Sequence, residues 1–482
     1  MSAQVLPPTV GPPMAGADTG DAAGDMTPAM TPGGQVTDGP PPENPGAAGD
    51  GAPPDDGMDV PAATPPASCG DAAEPYELIA TPLDPAFTVA AVERSWAGDQ
   101  ARAPVAVNAA GDVYVGFTRD EGGARSAVIA RSDAAAGEAI VLPDAALGGV
   151  VTTSDGLGAL LFDPNTDVDA RVWTAVARVD ASGGEVFRTD LFRSPNLEDV
   201  DTKGGASAGR IGYVADTDTL VAYFGHTQRY DDGVRHQGGY LATLDAAGTQ
   251  TVLSGWFGSH NLSQRLLVDG ARVAVTGLGD AFPKGIFFNY ADGARLRPRV
   301  VYALAADGVG TTNGKLGGMV DMGDTIALPF ITNRSVAQDL DAGEWPDIDE
   351  SISMQIRDAA AAGTDMGLLM ANKAALPDGD LPATWIDAQP TAGTGLSRLR
   401  SAPYGADLIL LMWAEVSGDF WNQSAEFFTM VVDRNGAICQ PRTALPAGHG
   451  YATGDDVAIA PDGSILWANA DAGTIQLIRL LP

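Results

Sequence analysis

The sequence predicts an all-β fold, a seven-bladed β-propeller. Three observations carry the prediction: one short apolar strand recurs seven times, turn-forming residues precede every copy, and the last repeat is incomplete. The copies are "GDVYVGF" from 111, "GLGALLF" from 156, "DTLVAYF" from 218, "ARVAVTG" from 271, "DTIALPF" from 324, "ADLILLM" from 406 and "GSILWAN" from 463. Their starts are separated by 45, 62, 53, 53, 82 and 57 residues. Near-continuous apolarity in so short a run requires burial on both faces, as for a strand held between neighbouring sheets.

Tight-turn chemistry such as "NAAGD", "VDGAR" and "APDGS" stands before each copy and reverses the incoming strand. A further alternating strand follows most copies: "AVIARSDAAAG", "TAVARVDASGG", "YLATLDAAG", "VVYALAADG", "SMQIRDAAAAG" and "FTMVVDRNG". A fourth is visible in several units, as in "TQTVLSGW". The seventh unit stops after "TIQLIRLLP", one strand short, and a strand from residues 75 to 96, "PYELIATPLDPAFTVAAVERSW", fills the vacancy. That closure brings Cys69, just before the strand, near Cys439 in the outer strand of unit six. A disulfide between them is expected, worth about 4 to 5 kcal/mol on loop entropy; two buried thiols are the alternative.

Residues 1 to 68 hold fifteen of the 34 prolines and nine acidic side chains, with no Lys, Arg, Phe, Trp or Tyr. Such a segment cannot bury enough apolar surface to offset its ordering entropy and reads as an extended acidic stalk, with the propeller spanning 69 to 482. The formal charge is -34. Neither nucleic acid nor an anionic membrane finds a basic patch here, so both are excluded as partners. No apolar run is long enough to span a bilayer, and "MSAQVLPPTV" lacks the pattern of a signal peptide. The stalk and the expected disulfide nevertheless point to a secreted or cell-surface protein, its signal trimmed, acting as a monomer.

"DDVAIAPDGSILWANAD" at 455 to 471, and less closely "APVAVNAAGDVYVGF" at 103 to 117, resemble the blade motif of NHL-type and related propellers. The remainder is similar to uncharacterised secreted propellers of the myxobacterial kind. The resemblance implies fold and carries no functional residue.

With strands labelled a to d from the axis outward, b–c and d–a connections emerge on one face, a–b and c–d turns on the other. The b–c gaps read as long and polar in six units, so function is expected on that face. "GHTQRYDDGVRHQGG" at 225 to 239 and "WFGSHNLSQ" at 256 to 264 place His226, His236 and His260 in neighbouring loops, with His449 entering from the far side. A polar ligand site would use His226, Arg229, Arg235, Gln264, Asp280, Trp345 and Trp421, for a polar small molecule, carbohydrate or protein ligand. A catalytic version, a hydrolase or lyase of an extracellular polymer, pairs His236 or His260 with Tyr230 as acid and base and uses Arg229, Arg235 or Arg265 against a substrate carboxylate, the plainer reading of these arginines being local ion pairing with Asp231, Asp232 and Asp280. The three imidazoles could instead hold Zn or Mn, completed by Gln264 or Asp280. Asp163, Asn165, Asp167 and Asp169 in "DPNTDVDAR" alternate as oxygen ligands suited to Ca, against the plainer reading of a solvated acidic turn.

Overall fold

The computed structural model describes residues 69, 76–90, 94–95, 98–99, 102–164, 173–193, 209–229, 235–259, 261–279, 285–291, 299–303, 315–332, 364–374, 381–417, 424–451, 456–470 and 474–482. Strand β1 (Glu77–Pro82) is followed by a short hairpin, β2 (Arg94–Ser95) and β3 (Gly98–Asp99). Blade 1 is β4 (Val105–Val107), β5 (Val113–Glu121), β6 (Ala124–Arg131) and β7 (Ile140–Pro143); blade 2 is β8 (Ala146–Thr152), β9 (Gly156–Phe162), β10 (Trp173–Asp180) and β11 (Glu185–Arg193). Blade 3 comprises β12 (Arg210–Val214), β13 (Thr219–Arg229), β14 (Arg235–Leu244) and β15 (Gln250–Ser259); blade 4 comprises β16 (Asn261–Asp269), β17 (Arg272–Gly279), β18 (Gly285–Ala291) and β19 (Arg299–Ala303). In blade 5 a broken inner strand, β20 (Lys315–Leu316) and β21 (Val320–Asp321), precedes β22 (Thr325–Thr332), β23 (Asp365–Asn372) and β24 (Thr384–Ile386). Blade 6 is β25 (Gly395–Tyr404), β26 (Leu408–Ser417), β27 (Ser424–Asp433) and β28 (Ile438–Ala444). Blade 7 is β29 (Ala458–Ile459), β30 (Ile465–Asn469) and β31 (Gln476–Leu481), completed by β1, which pairs antiparallel with β31 from Glu77↔Leu481 to Pro82↔Gln476.

The seven repeated apolar runs are the second strands of the seven blades, and the cores show why they are apolar throughout. Seven hydrophobic clusters sit between adjacent blades, with one small further cluster, around Ala414 and Val416, inside blade 6. In β26, Ile409, Leu411 and Trp413 pack into the cluster shared with blade 5. Leu410 and Met412, alternating with them, face blade 7. The same division repeats around the ring, and a cluster joining Phe117 and Val115 of blade 1 to Leu466 and Ala468 of blade 7 closes it. Cys69 and Cys439 are bonded, with Cα atoms 5.2 Å apart, inside the blade 6–7 cluster. The predicted closure is therefore present, strand and disulfide together.

Two units depart from the expected strand assignment. In blade 4 the third strand is β18, whose "GIFFNYA" is buried throughout, and "RVVYA" is the fourth. In blade 5 the third strand is β23, so "SMQIRDAAAAG" is not a described strand. Several b–c connections are also shorter than expected, because strands continue through polar residues. β5 and β6 turn on Gly122 and Gly123 alone, both at positive φ (68° and 96°), the backbone that a two-residue hairpin demands. Polar residues hide such strand ends from a search for apolar runs.

The short-turn face is stapled by cations bridging adjacent blades. Arg178 of blade 2 reaches Asp155 at 2.6 Å and Asp218 of blade 3 at 2.9 Å. Lys373 likewise joins Asp321 (2.7 Å) to Asp269 of blade 4 (2.9 Å). Part of the acidic excess thus serves turn geometry and these bridges.

Candidate functional site

Charged side chains converge on the axis of the ring. Arg210, Arg265 and Arg400 lie on the inner strands of blades 3, 4 and 6, each four residues before the last paired residue of its strand, Val214, Asp269 and Tyr404. The shared register sets them at one height, roughly 13 Å from the short-turn end at the usual strand rise. Arg102, just before β4, joins them from blade 1. Their exposures run from 1% for Arg400 to 8% for Arg210.

Local backbone irregularities present these residues. β16 and β25 carry equivalent bulges, between Leu262 and Arg265 and between Ser397 and Arg400. Within them Ser263 (φ 54°) and Arg398 (φ 51°) adopt the left-handed conformation, an unfavourable geometry for such residues that re-aims the strand. In blade 5 the inner strand is interrupted at Gly317 and Gly318. Gly209 precedes Arg210 where a Cβ would lie 2.3 Å from Leu160 Cδ2, so only glycine lets this strand approach blade 2.

Among the described residues, the carboxylate of Asp456 meets two of these cations. Asp456, just before β29, accepts from Arg210 Nε through Oδ2 and lies 3.3 Å from Arg265 Nε through Oδ1. In a closed seven-blade ring, blade 7 stands across the axis from blades 3 and 4. The ion pairs therefore span the channel. Arg265 also donates to the Leu316 carbonyl (2.9 Å), the Gly317 carbonyl (3.3 Å) and the Gln264 carbonyl (3.2 Å). Arg210 Nη1 donates to the Gly209 carbonyl (3.0 Å), whereas Arg210 Nη2 is buried and meets no hydrogen-bond acceptor among the described residues. Arg400 donates to the Leu399 carbonyl (3.0 Å) and lies over the Tyr451 ring, 5.2 Å from its centroid.

Burial and close charges together set the electrostatics here. Burial pushes the Arg265 guanidinium down to about 9; Asp456 opposes that shift, while Arg210, Arg400 and Arg102 add like-charge repulsion. A guanidinium remains protonated at neutral pH, so the shift expresses the cost of burying the charge rather than proton loss. Burial would raise the carboxyl of Asp456, but Arg210, Arg265 and Arg400 outweigh it and hold the group well below the usual carboxylate range. Burial raises the Tyr451 hydroxyl, which stays a neutral phenol beside Arg400 and Arg398.

The residues expected from sequence are distributed differently. Arg265 and Gln264 belong not to a d–a loop but to the inner strand β16, both buried. His226 and His236, expected in a loop, lie on the backbone of β13 and β14, with Gln228 opposite His236 and Arg229 opposite Arg235. The side chains of His226, Arg229, Arg235 and His236 lie outside the described residues, as do Tyr230, His260, Asp280, Trp345 and Trp421 altogether. His449 lies between β28 and β29, as expected, with Nδ1 3.2 Å from the Ala447 carbonyl. Asp163 follows β9 and is buried, while Asn165, Asp167 and Asp169 fall outside the described residues. Among the described residues no three His, Cys, Asp or Glu side chains gather as a metal site would require.

Arg102, Arg210, Arg400 and Asp456 were not singled out from sequence. A trace of them exists: in "RIGYVAD", "RLLVDG" and "RSAPYG" an arginine stands a fixed distance before the a–b turn. Aligning the units on their turns exposes that coincidence.

No known family matches the chain, and no curated protein does. Among solved structures, the N-terminal domain of Nup159 is similar at TM-score 0.39 and 10% identity, covering 84% of this chain and 96% of that one. Trypanosoma rangeli sialidase is similar at 0.39 and 12%, covering 83% and 75%. A Penicillium chrysogenum alpha-L-arabinanase complexed with arabinobiose is similar at 0.38 and 12%, covering 68% and 91%. Likeness this distant carries nothing about ligand or reaction.

Proposed function

We propose that the protein is an extracytoplasmic binding module whose polar ligand, a small molecule or carbohydrate, enters from the long-loop face and seats at the axis. The observation that supports this is the convergence of charged side chains from blades 1, 3, 4, 6 and 7 on one place, the arginines buried and Asp456 27% exposed. Burying several guanidinium groups costs several kcal/mol that an apolar channel lining would save. A local rule broken at such cost is a mark of a site. The disulfide supports an oxidising compartment.

The test is a binding screen of the full chain against polar small molecules and oligosaccharides, repeated with Gly318→Leu. Gly318 lies beside the axis, where an added Cβ would sit 3.1 Å from the Ser401 carbonyl and 3.9 Å from Asp456 Oδ1, so a larger side chain crowds the axis, and the variant's fold is checked by its urea midpoint. Ligands should bind the wild type and lose affinity in the variant; ligands indifferent to the obstruction would refute an axial site. The hydrolase or lyase reading rests on His236, His260 and Tyr230, and the same screen reads it as cleavage of an oligosaccharide.

A further inference from the structure

We propose that the disulfide is a mechanical shunt: tension reaching the ring through the chain before Cys69 passes straight into blade 6 and leaves the closing strand β1 unloaded. Reduction transfers that tension to β1 and opens blade 7. The inference is independent of any ligand at the axis.

The order of attachments along the N-terminal segment carries the argument. Cys69, the first described residue of the chain, is bonded to Cys439 on β28. Tyr76 follows, its hydroxyl 2.6 Å from Thr429 Oγ1 on β27. Both attachments are to blade 6, and both precede β1. Beyond β1, the Leu83 N–H donates to the Ile475 carbonyl (3.0 Å), and Leu83 and Phe87 are buried in the cluster between blades 7 and 1. There the Phe87 ring meets Phe117 edge-on at 5.5 Å, and Asp84 Oδ2 accepts from the Ala136 N–H of blade 1 at 2.9 Å. The segment therefore straps blade 7 to both of its neighbours.

Between these anchors β1 has little hold of its own. Five of its six residues are exposed, Ile79 to 40%, and Leu78 alone packs in part against the blade 6–7 cluster. What remains is the ladder to β31, from Glu77↔Leu481 to Pro82↔Gln476. Hydrogen bonds of an exposed edge strand exchange with water at small net cost, so a pull on Glu77 parts them in sequence from that end. Attachments along one chain meet a pull in order, and the first that does not yield shields those behind it. A covalent S–S bond does not dissociate thermally, so while it stands β1 is shielded. Once it is reduced, Tyr76 and then β1 take the pull, and loss of β1 leaves β31 as an open edge.

Single-molecule stretching of the full chain tests the inference. One handle is at the N-terminus, and the other is on a ligation peptide inserted between Gly405 and Ala406, in the exposed β25–β26 turn of blade 6. The oxidised protein should show no extension step before the propeller itself unfolds. After reduction in place, confirmed by release of both thiols, a first reversible step of about 40 to 60 Å should appear at lower force, the length freed when the chain from Cys69 to Pro82 or to Phe87 leaves the ring. Leu78→Ala should make that step several-fold faster in the reduced protein and change nothing in the oxidised one. Replacing Cys69 and Cys439 together by Ser should reproduce the reduced trace; reduction of the folded wild type keeps the test valid if that variant fails to fold. A step of this length in the oxidised protein, a reduced protein that yields only by unfolding of the whole ring, or a Leu78→Ala effect of equal size in both forms would each overturn the inference.

Discussion

Asp456→Asn is the most informative single change for stability, because it removes a charge and almost no volume. At an effective dielectric constant of about 20, unit charges 3.3 Å apart attract by about 5 kcal/mol. Asp456 has two such partners, and desolvation offsets much of that gain. Removing one partner of a buried pair costs about 3 to 5 kcal/mol, and with the Asp456 side chain 27% exposed the loss falls at or below the lower end of that range, about 2 to 3 kcal/mol. With a urea dependence of about 3 kcal/mol per molar, the unfolding midpoint falls by on the order of 1 M, read by tryptophan fluorescence. The acid limb supplies a second readout. Asp456 has a folded-state pKa below its unfolded value, so its contribution is fully present above about pH 4 and is lost as pH falls further through the folded value. The wild type should therefore lose more stability than the asparagine variant below about pH 4, and no more above about pH 5. A loss under about 1 kcal/mol, or acid limbs of equal slope, would refute the view that Asp456 compensates the arginines.

Two further outcomes test the architecture. Replacing Cys69 and Cys439 together by Ser should destabilise the protein by about 2 to 5 kcal/mol, and the wild type with reductant should match the variant; an unchanged urea midpoint would show that β1 holds the ring unaided. Trp413→Ala, at a fully buried position between blades 5 and 6, should cost about 3 to 5 kcal/mol in the same assay, and a cost near that of a surface substitution would contradict the inter-blade core.

The number of blades, the closing strand and the disulfide were legible in the sequence because each depends on local or repeated information. A strand buried on both faces must be apolar at every position, and β26, with Leu410 and Leu411 facing different neighbours, meets that demand visibly. The third strands of blades 4 and 5 were missed because alternation elsewhere, in "VVYALAADG" and "SMQIRDAAAAG", offered an equally good local pattern. Arg265 was noticed beside His260, but its place on an inner strand was not read from the sequence.

The axial site was beyond that kind of reading. Arg210 and Asp456 are 246 residues apart and meet only because seven blades close a ring that sets blade 7 across from blades 3 and 4. Hydrophobic periodicity records which strands are buried, since burial acts on each residue separately; it holds no record of which charges face one another over an axis. That pairing is a property of the closed ring, and Asp456 meets Arg210 and Arg265 only once the ring has closed.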